Sequence, residues 1–100
     1  MKAKLLLSYR QKLSASLFKE IHVWRLPQPL AGSSHPYKYR LALVNGDQCA
    51  LRYDNERGKG DHQHIGDQEC ALMFSSMPQL LIDFDPDIQY WRQTHEHADD

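Results

Sequence analysis

Alternating apolar and polar side chains mark several segments of the chain and predict β-strands. Residues 37–44 are the clearest case, and asparagine and glycine at positions 45 and 46 then favour a tight hairpin turn. Residues 48–54 return as the partner strand. Residues 17–26, rich in β-branched and aromatic side chains, predict a strand with two fairly apolar faces, which is typical of a central position in a sheet.

Two further segments are shorter or less regular. Residues 4–13 alternate imperfectly, which suits a half-buried strand, but their good helix formers leave a helix over residues 3–13 as an open alternative. Residues 69–74 predict a short strand. Residues 27–36 contain three prolines and a glycine and are predicted to form a loop.

An apolar stripe at spacings of three and four predicts a C-terminal helix that covers the sheet. Ser75 or Ser76 caps it, Pro78 lies in its first turn, and Pro86 should kink or break it. The stripe consists of Met77, Leu80, Leu81, Phe84, Ile88 and Trp91. The predicted fold is therefore α+β: an antiparallel sheet of four to five strands with a C-terminal helix packed on one face.

The central hairpin has a predicted register. If residues 45–47 form a three-residue loop, apolar side chains pair on one face, and a one-residue slip would destroy this sorting. On the other face, Arg40 would lie opposite Arg52, and Lys38 opposite Asp54. Two opposed arginines repel each other unless solvent or an anion lies between them.

Composition indicates one soluble domain spanning residues 1–100, with residues 94–100 as a frayed acidic tail. Of the 100 residues, 41% are hydrophobic and 25% are charged, and no apolar run approaches the length of a membrane span. The apolar run at residues 5–7 is too short for a signal peptide, so we expect a cytoplasmic protein. Cys49 and Cys70 are expected to be reduced thiols in the core.

The net charge of −1 gives no global nucleic-acid signature, but the charge is unevenly distributed. Residues 1–44 carry eight Lys or Arg and one Glu, and the acids concentrate in the remainder of the chain. A basic half can hold an anionic partner locally. The alternative is that the two halves neutralise each other.

Residues 52–67 form the longest polar run, and its three glycines allow tight bends of the backbone. We predict that this segment is the functional loop, and we call it the working loop. Metal-independent RNA cleavage needs a base, an acid and cations around the phosphate, and histidines titrate near neutrality. The predicted catalytic residues are His62, His64, Lys59 and Asp61; the predicted substrate-binding residues are Lys38, Arg40, Arg52, Asp54, Asn55 and Arg57. The alternatives are a loop with solvated histidines and, for Asn55, a side chain that closes a turn.

A metal site is a second chemistry for the same run. The His-x-His pair at His62 and His64, with Asp54, Asp61 or Asp67, offers the nitrogen and oxygen ligands that zinc or manganese accept. That pattern alone is weak, so the sequence predicts neither a metal nor another cofactor. The Gly-Lys-Gly triplet at residues 58–60 lacks the spacing of a phosphate-binding P-loop.

Four blocks of the chain together resemble one known family. They are Trp24-Arg25-Leu26-Pro27, His35-Pro36-Tyr37-Lys38-Tyr39-Arg40-Leu41-Ala42, Leu51-Arg52-Tyr53-Asp54-Asn55 and Gly58-Lys59-Gly60-Asp61-His62-Gln63-His64. Over roughly residues 3–92 the chain resembles the TumE family, the toxin halves of bacterial type II toxin–antitoxin pairs. It departs from that family at Gln63, where members often carry a basic residue, and at Pro86, where an unbroken helix is expected.

The resemblance implies a growth-inhibiting toxin that acts on RNA and is restrained by a cognate helix-turn-helix antitoxin. It does not by itself assign a catalytic residue. Our leading prediction is therefore a cytoplasmic toxin with ribonuclease-like chemistry and no membrane partner. The alternatives are a non-catalytic module that grips RNA or the ribosome with the same basic residues, and a structural or protein-interaction domain. A homodimer is left open.

Overall fold

The computed structural model describes residues 2–95, which form six strands followed by one helix. The elements are β1 (Lys4–Lys12), β2 (Leu17–Arg25), β3 (Tyr37–Asn45), β4 (Gln48–Glu56), β5 (Gly60–Ile65), β6 (Gln68–Ala71) and α1 (Met77–His95). The strands pair in chain order, each antiparallel to the next, in one continuous sheet. This arrangement confirms the predicted α+β fold.

The helix covers one face of the central strands. Leu41, Leu43 and Phe84 are fully buried at this contact, and the Tyr53 ring meets Phe84 edge-on at 4.8 Å. Burying a side chain of this size stabilises the fold by about 1.5–3 kcal/mol relative to exposure. The other members of the core are Leu17, Ile21, Val23, Tyr39, Leu51, Met77, Leu80, Ile88 and Trp91. We call the sheet face opposite α1 the open face.

The predicted strand count of four to five was too low, because part of the predicted working loop is a strand. Residues 60–65 form β5, which pairs with β4 on one side and β6 on the other. Its side chains are polar on both faces except at Ile65, so no apolar alternation marked it. Strand β6 ends at Ala71, whereas the pattern predicted a strand through Phe74.

The predicted register of the central hairpin was wrong by two residues. Only Gly46 and Asp47 form the turn, and Ala50 is an extra residue in β4, so the pairing shifts between Val44 and Leu43. A shift of two residues keeps every side chain on its predicted face but changes its neighbour. As a result Asp54, and not Arg52, lies opposite Arg40.

The helix begins as the sequence predicted but does not break. The Gln79 N–H donates to Ser76 Oγ at 3.2 Å, the bond of an N-cap. Pro86 lies inside α1 on its exposed side, and its cost of about 3 kcal/mol is offset because Phe84 and Ile88 anchor the helix on either side. Thr94 and His95, predicted to fray, belong to the helix; the rest of the acidic tail, residues 96–100, lies outside the described residues.

The edges of the sheet differ from the sequence expectation. Residues 4–12 form a strand, not a helix, but β1 is exposed along its whole length. Cys49 and Cys70 are free thiols, as expected, but both are exposed, so the expectation that they lie in the core was wrong. No helix within residues 2–95 is long and apolar enough to cross a bilayer.

Candidate functional site

Four polar side chains of β4 and β5 converge on the open face. Successive side chains of a strand point to opposite faces, and α1 covers the face that holds Leu51 and Tyr53. Arg52, Asp54, His62 and His64 therefore point to the other face, with Asp54 opposite His62 and Arg52 opposite His64 in the strand register. We call these four residues the Asp54 cluster.

The side chains of the Asp54 cluster are close together. Asp54 Oδ1 lies 2.6 Å from His62 Nε2 and 3.9 Å from His64 Nε2, while Asp54 Oδ2 lies 2.9 Å from Arg52 Nε. The two imidazole rings are 4.9 Å apart and meet edge-on. Only 5% of the His62 side chain and 11% of the Asp54 side chain are exposed. Both histidines and Arg52 thus lie at one location on the open face, whereas Lys59, another cation predicted to be part of the site, pairs with Glu69 at its rim.

Close approach does not mean that these groups are hydrogen-bonded. Arg52 Nε, Asp54 Oδ1, His62 Nε2 and His64 Nε2 are all buried, and none is aligned with a hydrogen-bond partner among the described residues. Buried polar atoms are normally paired, because leaving one unpaired costs about 1–3 kcal/mol. Four such atoms in one cluster single out these residues as the candidate site of the open face.

The backbone sets the protonation of His62. Its Nδ1 lies 3.0 Å from the carbonyl oxygen of Gly60, which can only accept a hydrogen bond. Nδ1 must therefore carry a proton and donate it. In the neutral ring Nε2 then presents a lone pair, and this lone pair faces the carboxylate oxygen of Asp54.

Two charged side chains of the rim lie next to the cluster. Lys59 Nζ donates to Glu69 Oε1 at 3.0 Å, and Glu69 Oε2 lies 3.9 Å from His64 Nδ1. This hydrogen bond is the main reason why the pKa of Lys59 is raised and the pKa of Glu69 is lowered. A cavity of about 350 Å³ opens at this rim; its lining includes Lys59, His62, Glu69 and Ala71.

The turn between β4 and β5 is held by the loop between β2 and β3. The Gly58 N–H donates to the Ala31 carbonyl at 2.6 Å. Gly32 has a φ of +86°, and a Cβ there would lie 3.2 Å from the Gly58 Cα. Glycine is needed at position 32 both for its backbone angle and for this close approach, which fixes the start of β5.

Two predicted site residues point away from the open face. Asp61 Oδ1 accepts a hydrogen bond from Tyr39 Oη at 2.5 Å and lies 2.9 Å from His35 Nε2. Asn55 is fully buried; its amide accepts from the Tyr39 N–H and donates to the Tyr37 carbonyl. Both side chains join neighbouring parts of the fold, and the structure does not bring them to the histidine pair.

The remaining predicted cations surround the cluster without joining it. Arg40 lies next to Asp54 in the strand register, but its guanidinium contacts Glu20 at 3.5 Å. The Lys38 ammonium donates to the Asn55 carbonyl, and Arg57 is exposed in the turn after β4.

Sequence reasoning missed His35 and Glu69. His35 is buried and stacks on Phe74 with ring centroids 3.7 Å apart. Glu69 comes next to His64 because Gly66 and Asp67 form a two-residue turn between β5 and β6. That glycine-containing dipeptide was a hairpin signal that could have placed Glu69.

Aromatic and basic side chains extend the open face across the sheet. His22, Arg40, Asp54 and His62 form one row across β2 to β5. In β2, His22 stacks on Trp24 with centroids 6.0 Å apart, and Trp24 lies opposite Lys38. The open face thus combines flat rings with cationic groups beside the Asp54 cluster.

Comparison with known proteins gives one result of substance. No curated protein and no solved structure matches the chain. The family model described as Toxin TumE matches residues 2–92 of the 100 residues. This match covers all six strands and α1 as far as Arg92, and it confirms the resemblance found in the sequence. The chain therefore belongs to the TumE family of toxins.

Proposed function

We propose that this toxin acts on RNA through its open face, with the Asp54 cluster as its reactive centre, and that a cognate antitoxin restrains it. The observation that carries the proposal is the convergence of Arg52, Asp54, His62 and His64, whose buried polar atoms lack hydrogen-bond partners among the described residues. A centre of this kind is typical of a functional site, since burying these atoms costs folding energy and adds no stabilising hydrogen bond.

The surroundings of the cluster suit single-stranded RNA. Flat rings on an open sheet can stack on unpaired bases, and cations beside them neutralise phosphates. Trp24 and His22 supply the rings, while Lys38 and Arg40 supply the charge. A strand of RNA lying along the row from β2 to β5 would pass from this platform to the Asp54 cluster.

The sequence predicted that the two imidazoles exchange protons with RNA directly and without a metal. Such an exchange requires the reacting nitrogen to reach a 2′-hydroxyl. The Nε2 atoms of His62 and His64 are both buried against Asp54. The proposal therefore keeps RNA as the substrate and the cluster as the reactive centre, and does not rest on direct exchange at these atoms.

A second candidate is a toxin that binds RNA or the ribosome without cleaving it. The platform of Trp24, His22 and Arg40 favours it, because these groups supply binding without the Asp54 cluster. In that case binding of RNA or the ribosome by the platform would be enough for toxicity, without the Asp54 cluster.

The experiment combines growth with RNA integrity after induced expression, and repeats the RNA cleavage with purified protein. His64→Ala should abolish cleavage and toxicity, and should weaken RNA binding less than Arg40→Ala does. Arg40→Ala should weaken binding and retain cleavage at saturating RNA. His95→Ala, a histidine change at the far end of α1, is the matched control and should behave as wild type.

Circular dichroism on each variant confirms that it is folded. Wild type that inhibits growth but leaves all RNA intact would favour the binding candidate. A folded His64→Ala protein that cleaves RNA as fast as wild type would overturn the proposed centre.

A further inference from the structure

We propose that Asp54, His62 and His64 bind one divalent transition-metal ion, of the class that accepts two imidazole nitrogens and a carboxylate oxygen. The donor atoms of these three side chains all lie within 4.8 Å of one another. Two histidines and one carboxylate are a common donor set for zinc, iron and manganese, and three protein ligands leave positions for water or substrate. Zinc, whose bond lengths are well defined, serves as the reference ion for the geometry.

The spacing of the donors fits an ion between them. Zinc bonds of about 2.0–2.2 Å place tetrahedral ligand atoms about 3.3 Å apart. The two distances from Asp54 Oδ1 bracket that value, at 2.6 Å to His62 Nε2 and 3.9 Å to His64 Nε2. The three donor atoms lie within 4.8 Å of one another, so side-chain shifts of about 1–2 Å would close them around an ion, without any change in strand pairing.

The surrounding groups leave the three donor atoms available. The Gly60 carbonyl holds the proton of His62 on Nδ1, so Nε2 is the atom with the lone pair. Arg52 Nε lies beside Oδ2 of Asp54, which leaves Oδ1 for the ion. Glu69 Oε2 lies 3.9 Å from His64 Nδ1, which is beyond hydrogen-bond distance, and it is the nearest carboxylate that could orient the second ring after a small shift. Outer groups of this kind are typical around metal-bound histidines.

A shared proton is the simplest competitor of a metal ion. One proton between His62 Nε2 and Asp54 Oδ1 would join the two atoms by a hydrogen bond and remove the repulsion between their lone pairs. It would leave His64 Nε2 buried and without a partner among the described residues. A metal ion is the occupant that satisfies all three donor atoms at once.

The local charge adds an independent reason for a cation, and this step rests on the proposed function. Among the charged side chains in contact with the cluster, Asp54, Glu56 and Glu69 carry three negative charges against the two positive charges of Arg52 and Lys59, a balance of −1 when both imidazoles are neutral. Arg40, next to Asp54 in the strand register, is itself paired with Glu20 and does not change this balance. A negative centre repels a phosphate. A bound dication changes the net charge to +1 and lets the same centre attract RNA.

The test is metal binding by untagged, metal-stripped protein in the absence of RNA. Isothermal titration with Zn²⁺ should give one site, and Co²⁺ should give a visible spectrum of nitrogen ligation that Zn²⁺ displaces. Asp54→Asn and His64→Ala should each weaken binding at least about 100-fold. The matched control is the double variant His95→Ala, His97→Ala, which removes the chain's other His-x-His pair and should leave the affinity unchanged.

The outcomes separate clearly. Folded wild type that binds neither Zn²⁺, Co²⁺ nor Mn²⁺ overturns the proposal, as does binding that is lost in the control and kept in His64→Ala. If a ligand variant fails to fold, the stoichiometry and Co²⁺ spectrum of wild type decide alone. Metal binding by a protein that neither binds nor cleaves RNA would contradict the proposed function and leave the metal site standing. RNA cleavage by metal-free protein that also binds no added Zn²⁺ would overturn the metal site and leave the proposed function standing.

Discussion

Two histidine–aspartate pairs lie on opposite faces of the same sheet, and they differ in how their polar atoms are used. His35 Nε2 donates to Asp61, His35 Nδ1 accepts from the Tyr37 N–H, and Asp61 also accepts from Tyr39. In the other pair, His62 Nε2 and Asp54 Oδ1 are 2.6 Å apart and neither is hydrogen-bonded. The satisfied pair stabilises the fold, and the unsatisfied pair is the one that the proposed function assigns to chemistry.

Neighbours in sequence thus have opposite roles. Asp61 and His62 are adjacent, but strand geometry sends one toward α1 and the other to the open face. Residue type does not distinguish the carboxylate of Asp61, which is hydrogen-bonded within the fold, from that of Asp54, which the proposed function uses. The difference lies in whether each buried donor or acceptor already has its partner within the fold.

The largest expected effect on stability is the loss of Asp61. Asp61→Ala leaves the buried His35 N–H and the Tyr39 hydroxyl without an acceptor, which should lower the free energy of unfolding by about 3 kcal/mol. Urea unfolding measures it. Asp67→Ala, an exposed aspartate in the next turn, is the control and should change stability by less than about 0.5 kcal/mol. Equal effects of the two changes would contradict a structural role for Asp61.

The glycine contact beside the satisfied pair should come next. Gly32→Ala strains a residue at φ +86° and brings its Cβ to 3.2 Å from the Gly58 Cα. The backbone strain alone costs about 1–2 kcal/mol, and the close contact should lower the free energy of unfolding further. Gly46→Ala is the control, since its φ is +64° and nothing lies within 4 Å of the added Cβ. Thermal unfolding of both variants isolates the contact; equal losses would show that it contributes nothing.

Tyr39→Phe should cost about 1 kcal/mol near neutral pH, because one hydrogen bond to Asp61 is lost. Burial, and then that hydrogen bond, raise the pKa of the Tyr39 phenol well above its ordinary value of about 10. Above about pH 10 the unfolded chain therefore loses this proton first, and wild-type stability falls as pH rises. Below that pH the contribution of Tyr39 is complete.

The phenylalanine variant cannot undergo this titration, so its stability should fall less steeply than that of wild type above about pH 10. Urea unfolding at a series of alkaline pH values measures the difference. Parallel curves for the two proteins would exclude Tyr39 as the source. Tyr53 is unchanged in both proteins and contributes equally to each.

The smallest expected effect on stability is at the unsatisfied pair. Asp54→Ala removes the ion pair with the partly exposed Arg52, but it also relieves the unaligned contact of Asp54 Oδ1 with His62 Nε2. These two effects oppose each other, so the free energy of unfolding should change by less than about 1 kcal/mol. The urea experiment used for Asp61→Ala gives the comparison directly. A loss as large as that of Asp61→Ala would show that both pairs are structural.

Much of the fold could be predicted from local patterns. Alternation in residues 37–44 and the apolar stripe that includes Leu80, Phe84 and Ile88 gave the central strands and the helix, since each pattern reflects one buried face. Strand β5 was not predicted because its own side chains show no apolar alternation. It is a strand because it pairs with β4 and β6. The extra residue Ala50 left no local mark either, so the register of Arg40 and Asp54 was not predictable.

The site could be predicted only in part for the same reason. His62 and His64 can reach one location if the chain is extended, because residues two apart then point the same way, but the sequence did not decide whether this segment is extended or turns. That rule also separates Asp61 from them, once residues 60–65 are known to be a strand. The burial of Asn55 depends on hydrogen bonds to β3, which no pattern within β4 reports.

The most direct test of the central claim is the toxicity of Asp54→Asn, a change that keeps the size of the side chain and removes its charge. Growth is followed after induced expression, with soluble protein levels matched to wild type. We expect cells with the variant to grow as uninduced cells do, with their RNA intact. Growth inhibition equal to that of wild type would show that the Asp54 cluster is not where this toxin acts.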